Sequence, residues 1–159
     1  MNVADLLSQA REKGLRIATA ESCTGGMVAA RLTDIAGSSD VFDRGFVTYS
    51  NAAKQDMLGV AMTTLDAHGA VSEQVAAEMA AGALRHSAAD IAVSITGIAG
   101  PGGSGHKPEG RVCFGLARRG ADMQVETIDF GALGRDGVRQ ASTAHALDLL
   151  AKAVNRNRA

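Results

Sequence analysis

The chain has 159 residues and a mass of 16.3 kDa, enough for one well-cored domain over 1–159 and too few for two. Hydrophobic residues make up 46% and charged residues 21%, and 16 basic against 17 acidic groups leave a net charge of -1, which excludes disorder, collagen-like repeats and a strongly single-signed surface. Four Phe, one Tyr and no Trp are too few rings for a nucleic-acid stacking platform, and the near-neutral charge gives little to hold a phosphate backbone, so no nucleic-acid partner is expected.

Val3, Leu6, Leu7 and Ala10 recur at helical spacing and predict a helix that stops at Gly14. Leu15 to Thr19 reads as a buried strand, followed by a turn of small residues and a helix over Met27 to Leu32. A second strand is expected over Phe42 to Ser50, with Asn51 capping a short helix that holds Lys54, Met57 and Leu58 and ends at Gly59. Ser72 caps a longer helix with Val75, Met79 and Ala83 on one face, and Ile91 to Ile95 is the next strand. Six of the 19 glycines and both prolines fall between Gly97 and Gly110, which must be a loop. Strands over Arg111 to Ala117 and Met123 to Asp129 are joined by a turn at Arg119-Gly120. A closing helix carries Leu147, Leu150, Ala151 and Val154, and its Asn-Arg-Asn-Arg tail is expected to fray. Alternating helices and strands followed by a hairpin predict an α/β fold: a single three-layer α/β/α domain around a mixed, mainly parallel sheet.

Cys23 and Cys113 are too few and too far apart for a disulfide framework. The four histidines lack metal-ligand spacing, so neither a metal nor a cofactor is expected. Asp5, Arg11 and Glu12 interrupt the opening segment as a signal peptide, and no apolar run approaches the ~18 residues that span a bilayer. The expectation is a reduced, cytoplasmic protein without a membrane partner.

Three segments carry candidate chemistry. In Glu21-Ser22-Cys23-Thr24-Gly25-Gly26, between a strand and a helix, Ser22 is either a nucleophile on a rigid turn, with backbone N–H groups nearby for an oxyanion, or a helix cap. Cys23 reads as a small buried residue rather than a rival nucleophile. In Thr48-Tyr49-Ser50-Asn51-Ala52-Ala53-Lys54, the lysine is either a surface residue or a base with a lowered pKa, and the tyrosine fits a core as well as a site. Thr96-Gly97-Ile98-Ala99-Gly100-Pro101-Gly102-Gly103, continuing to Lys107-Pro108, suits an anion held by exposed N–H groups, or no ligand at all. It matches neither the P-loop nor the dinucleotide fingerprint, so it does not indicate ATP or NAD.

Taken together with Gly134-Arg135-Asp136 and Val138-Arg139, these segments resemble the CinA C-terminal domain family, the nicotinamide-nucleotide amidohydrolases, over almost the whole chain. Glu109 is acidic where that pattern leads one to expect an apolar residue. The resemblance implies removal of the amide of nicotinamide mononucleotide, giving nicotinic acid mononucleotide and ammonia in pyridine-nucleotide salvage, by a stand-alone form without the N-terminal pyrophosphatase domain that some members carry. It implies a serine–lysine dyad, Ser22 and Lys54, with Tyr49 beside them and an acyl-enzyme intermediate. Cys23, Thr24, Gly25, Gly26 and Asn51 would then be substrate-binding, with backbone N–H groups around Cys23 to Gly25 holding the oxyanion. Thr96, Gly97, Gly100, Gly102, Gly103 and Lys107, with Arg135 or Arg139, would receive the ribose phosphate. Different classes consistent with the same residues are a nucleotide-sensing module without turnover and a serine amidase for another amide. A homo-oligomer, with a dimer favoured, is the expected assembly for a small enzyme of this kind.

Overall fold

In a computed structural model, which describes residues 2–156, the chain runs in order through α1 (Val3–Lys13), β1 (Ile17–Glu21), α2 (Met27–Thr33), one tighter helical turn (Ser38–Asp40), β2 (Phe42–Val47) and α3 (Asn51–Leu58). It continues through α4 (Met62–His68), α5 (Glu73–Arg85), β3 (Ile91–Gly97), β4 (Arg111–Arg118), β5 (Gln124–Asp129) and α6 (Gly134–Asn155). The strands pair in the order β2-β1-β3-β4-β5; β1 is parallel to β2 and β3, and the β3–β4 and β4–β5 pairs are antiparallel. One strand, β4, therefore opposes the other four, and the sheet is mixed and mainly parallel as expected. The carboxyl ends of β1, β2 and β3 lie together, which is where α/β sheets gather their ligand-binding loops.

Strand alternation divides the core into two unlike halves. Ile17, Ile91, Val93 and Ile95 meet Leu6 and Leu7 of α1, Val28 and Leu32 of α2, and Leu147 and Leu150 of α6. The opposite face presents Ala18, Ala20 and Ala92 to Leu58, Leu65, Val75 and Met79 of α3, α4 and α5. Small residues let α5 approach closely: a Cβ on Gly115 would stand 2.5 Å from the Ala76 carbonyl oxygen, and the Ser94 hydroxyl donates to that same oxygen at 2.6 Å. A Cβ on Gly82 would stand 2.1 Å from the Leu58 carbonyl oxygen, so α5 also fixes the C-terminal end of α3.

Some boundaries differ from those predicted. Gly14 closes α1 and the Leu15 N–H bonds back to the Ala10 carbonyl at 2.9 Å, so Leu15 belongs to the helix stop and β1 begins at Ile17. Ser50, not Asn51, caps α3: its Oγ accepts the Ala53 N–H at 3.0 Å, and Asn51 is the first helical residue. The expected strand over Phe42 to Ser50 ends at Val47. Helix α4 has no counterpart among the predicted elements; it buries one side chain, Leu65, too little to leave a periodic signal. Of the tail expected to fray, Asn155 still belongs to α6, and positions 157 and 158 lie outside the described residues. Among the described residues, no helix is long and apolar enough to cross a membrane.

Candidate active site

Ser22 follows the last residue of β1, and its N–H donates to the Ile95 carbonyl of β3 at 2.9 Å, so the central sheet places it. The turn behind it is held from within. Fully buried Glu21 accepts the Thr24 hydroxyl at 2.6 Å and the N–H groups of Val28 and Ala29 at 2.9 and 3.1 Å. The carboxylate thus satisfies the first turn of α2 and opposes the helix dipole favourably. Gly25 and Gly26 take φ of +59° and +108°, which side-chain-bearing residues resist, and this lets the chain reverse between strand and helix. From α6, the Arg139 guanidinium donates to the carbonyls of Cys23 and Thr24 at 3.1 and 3.4 Å.

Lys54 reaches this turn from α3. Its side chain is 1% exposed, and Nζ lies 3.0 Å from Ser22 Oγ, 3.0 Å from the Thr48 carbonyl oxygen and 3.3 Å from that of Tyr49. Burial holds its pKa below the ordinary lysine value, with the neighbouring Cys23 acting weakly the other way. All three partners can accept from Nζ: two are carbonyl oxygens, and the third is the Ser22 hydroxyl, which can also donate to the amine when it is neutral. Ser22 is itself 8% exposed, at the floor of the cleft. Cys23 is buried, and desolvation pushes its thiol up to about 11, which leaves little thiolate at neutral pH.

The cleft has a volume of about 340 Å³. Ser22, Cys23, Tyr49, Asn51, Lys54, Thr96, Gly97, Gly100, Gly102, Gly103 and Arg135 all border it, so most of the residues singled out from sequence converge. Tyr49 is 57% exposed, at the cleft rather than in the core. Its hydroxyl accepts from Arg135 at 2.6 Å, and the same guanidinium donates to the Gly100 carbonyl at 2.8 Å, bridging the β2 end to the glycine loop. Glu109 has a structural use: its carboxylate accepts the Gly102 N–H at 2.7 Å and braces that loop.

Other expected contacts lie elsewhere. Thr24, Gly25 and Gly26 shape the turn without bordering the cleft, and Arg139 is occupied with the carbonyls of the turn. Lys107 points away, into the connection between α4 and α5, because two backbone carbonyls converge there. Ala70 and Val71 form part of the cleft wall without being marked by the sequence; two small apolar residues carry no chemical signature that could flag them. Glu21 is legible in the sequence only as the end of a motif.

A serine at the end of β1 and a buried lysine on α3 thus meet in one cleft of a three-layer α/β/α fold. Residues 2–154 match the CinA C-terminal domain, and the chain belongs to that family. It is 53% identical over 152 residues to the nicotinamide-nucleotide amidohydrolase PncC of Escherichia coli K12, covering 94% of this chain and 92% of that protein. A CinA-like protein of Syntrophobacter fumaroxidans is 54% identical over 141 residues, 88% of this chain, but the chain spans about a third of that relative's length, 33%. Among solved structures, the competence/damage inducible protein CihA from Agrobacterium tumefaciens superposes with a TM-score of 0.93 at 48% identity, covering 97% of this chain and 93% of that one.

Proposed function

We propose that this chain hydrolyses the carboxamide of nicotinamide mononucleotide, releasing ammonia and nicotinic acid mononucleotide, and that it serves pyridine-nucleotide salvage. The observation that carries the reading is the 3.0 Å approach of buried Lys54 to Ser22, in a chain 53% identical to proteins named for this reaction. Neutral Lys54 takes the Ser22 proton as Oγ attacks the carboxamide carbon, forming a tetrahedral oxyanion. The Gly25 N–H is spent on the Ser22 carbonyl, and those of Val28 and Ala29 on Glu21. Of these turn residues Cys23 borders the cleft beside Ser22, and its N–H is the donor proposed for the oxyanion, worth ~3 kcal/mol of barrier by analogy with measured oxyanion holes. Lys54 then returns the proton to the departing nitrogen, which leaves as ammonia, and water hydrolyses the acyl-enzyme with Lys54 again as base. Tyr49 offers its exposed ring to the pyridine. Of the cations expected at the phosphate, Arg135 is the one that borders the cleft.

Ammonia release from nicotinamide mononucleotide, with free nicotinamide and NAD run in parallel, tests the assignment. Release from the mononucleotide alone is expected, with Ser22→Ala folded and inactive. Full activity of Ser22→Ala removes the nucleophile assignment; release from other amides but not the mononucleotide replaces the substrate; and binding without release makes the site a sensing module.

A further inference from the structure

Four consecutive carbonyls, from the last residue of α4 into its connection to α5, are each held by a side chain. His68 O and Val71 O both accept from Lys107 Nζ, at 2.7 and 2.5 Å. Gly69 O accepts from the Ser72 hydroxyl at 2.9 Å, and Ala70 O from the Thr96 hydroxyl at 2.8 Å. The segment thus owes its position to side-chain donors, and two of the four bonds belong to one ammonium.

Lys107 stands at the tip of the glycine loop, where its backbone and that of Ser104 exchange two hydrogen bonds, at 2.9 and 3.0 Å. A Cβ on Gly103 would lie 2.4 Å from the Lys107 carbonyl oxygen, and a Cβ on Gly69 would lie 3.0 Å from Nζ, so glycines make room at both ends of this residue. The glycine loop forms one part of the Ser22 cleft and Ala70-Val71 another, while Lys107 borders a separate recess of about 280 Å³. One side chain outside the cleft therefore ties two of its walls together. An ammonium is well matched to such a tie, having three donors, no acceptor and a compact charge that two converging carbonyls can share.

We propose that Lys107 is a positioning residue for substrate recognition: by tying Ala70-Val71 to the glycine loop it sets the width of the cleft, and hence the affinity for substrate, without touching the reacting atoms. The inference rests on the amidohydrolase reading of that cleft. A wall that contacts substrate equally in the ground and transition states acts on KM rather than kcat.

The test compares wild type with Lys107→Met by amide hydrogen exchange and by steady-state ammonia release from nicotinamide mononucleotide across pH. Exchange at Ala70 and Val71 is expected to accelerate, with KM rising about tenfold, kcat changing less than about threefold, and the pH profile unmoved because Lys54 is untouched. Lys107→Gln, which keeps a shorter neutral donor outside the cleft, is expected to move exchange and KM in the same direction by less and serves if Lys107→Met does not fold. Unchanged exchange at Ala70 and Val71 overturns the proposal. So does an unchanged KM, or a loss confined to kcat with a shifted pH profile. If wild type releases no ammonia, the amidohydrolase reading fails by itself; the exchange comparison, joined by calorimetric affinity for the mononucleotide, then decides the role of Lys107.

Discussion

Lys54 Nζ and Ser22 Oγ stand 3.0 Å apart although 32 positions separate them in sequence, and the carbonyls of Thr48 and Tyr49 complete the lysine's surroundings. The residues after β2 therefore orient the amine, and the end of β1 presents the hydroxyl, as the proposed base and nucleophile require. A base works when unprotonated, so kcat/KM for ammonia release should climb with pH through the lowered pKa of Lys54 and level off before the ~10.4 of an ordinary lysine. A pH-rate profile flat from acid to alkaline conditions would remove Lys54 from this role.

The same shift has a stability sign. With its pKa depressed in the fold, Lys54 binds fewer protons folded than unfolded, so its contribution to stability rises with pH between the folded pKa and the unfolded ~10.4. Lys54→Met lacks this rise. The Tm of the variant minus that of wild type should therefore fall steadily as pH increases across that window, whatever the offset at neutral pH. Parallel melting curves at every pH would contradict it.

Glu21 holds the turn that carries Ser22 by three hydrogen bonds to a carboxylate with no exposure. Glu21→Ala leaves a hydroxyl and two helix N–H groups without their acceptor and should cost about 3 kcal/mol in urea unfolding, with a matching loss of ammonia release. Glu21→Gln keeps one acceptor oxygen and should lose less of both.

Gly82 touches the far end of the helix that carries Lys54. A methyl group there meets the Leu58 carbonyl at 2.1 Å, backbone that cannot swing aside. Gly82→Ala should destabilise the fold by ~1–3 kcal/mol and lower kcat as well, because α3 must shift. Urea titration beside a turnover assay reads both; normal turnover at reduced stability would show that α3 does not transmit the strain.

Cys23 adjoins Ser22 yet its thiol is pushed up to about 11 by burial, and Cys113 is raised for the same reason. Alkylation by iodoacetamide at neutral pH should be slow in the folded protein and fast once it is unfolded in urea. Rapid loss of activity on alkylation of the folded chain would mean that the turn opens far more readily than its hydrogen bonds imply.

Much of this is legible in the chain because it is local. The spacing of Leu6, Leu7 and Ala10, the stop at Gly14 and the capping serine at 72 are read from neighbours in sequence, and the structure places them so. Chemical identity marks Ser22, Tyr49, Lys54 and the glycine loop, and resemblance joins them. What the sequence does not display is tertiary. Lys107 looks like an anion ligand until two carbonyls from 36 and 39 positions away appear beside it. Arg139 is claimed by the carbonyls of a turn more than a hundred positions earlier. Leu15 has the composition of a strand, yet a helix stop uses its N–H.

Tyr49 is the chain's single tyrosine, and there is no tryptophan. The protein's ultraviolet emission thus arises from one phenol beside the cleft, hydrogen-bonded to Arg135. A ligand that stacks on that ring or displaces that guanidinium changes the whole signal, without a background from buried fluorophores. Binding to this cleft can therefore be titrated optically in the unlabelled, native chain, including variants that no longer turn over.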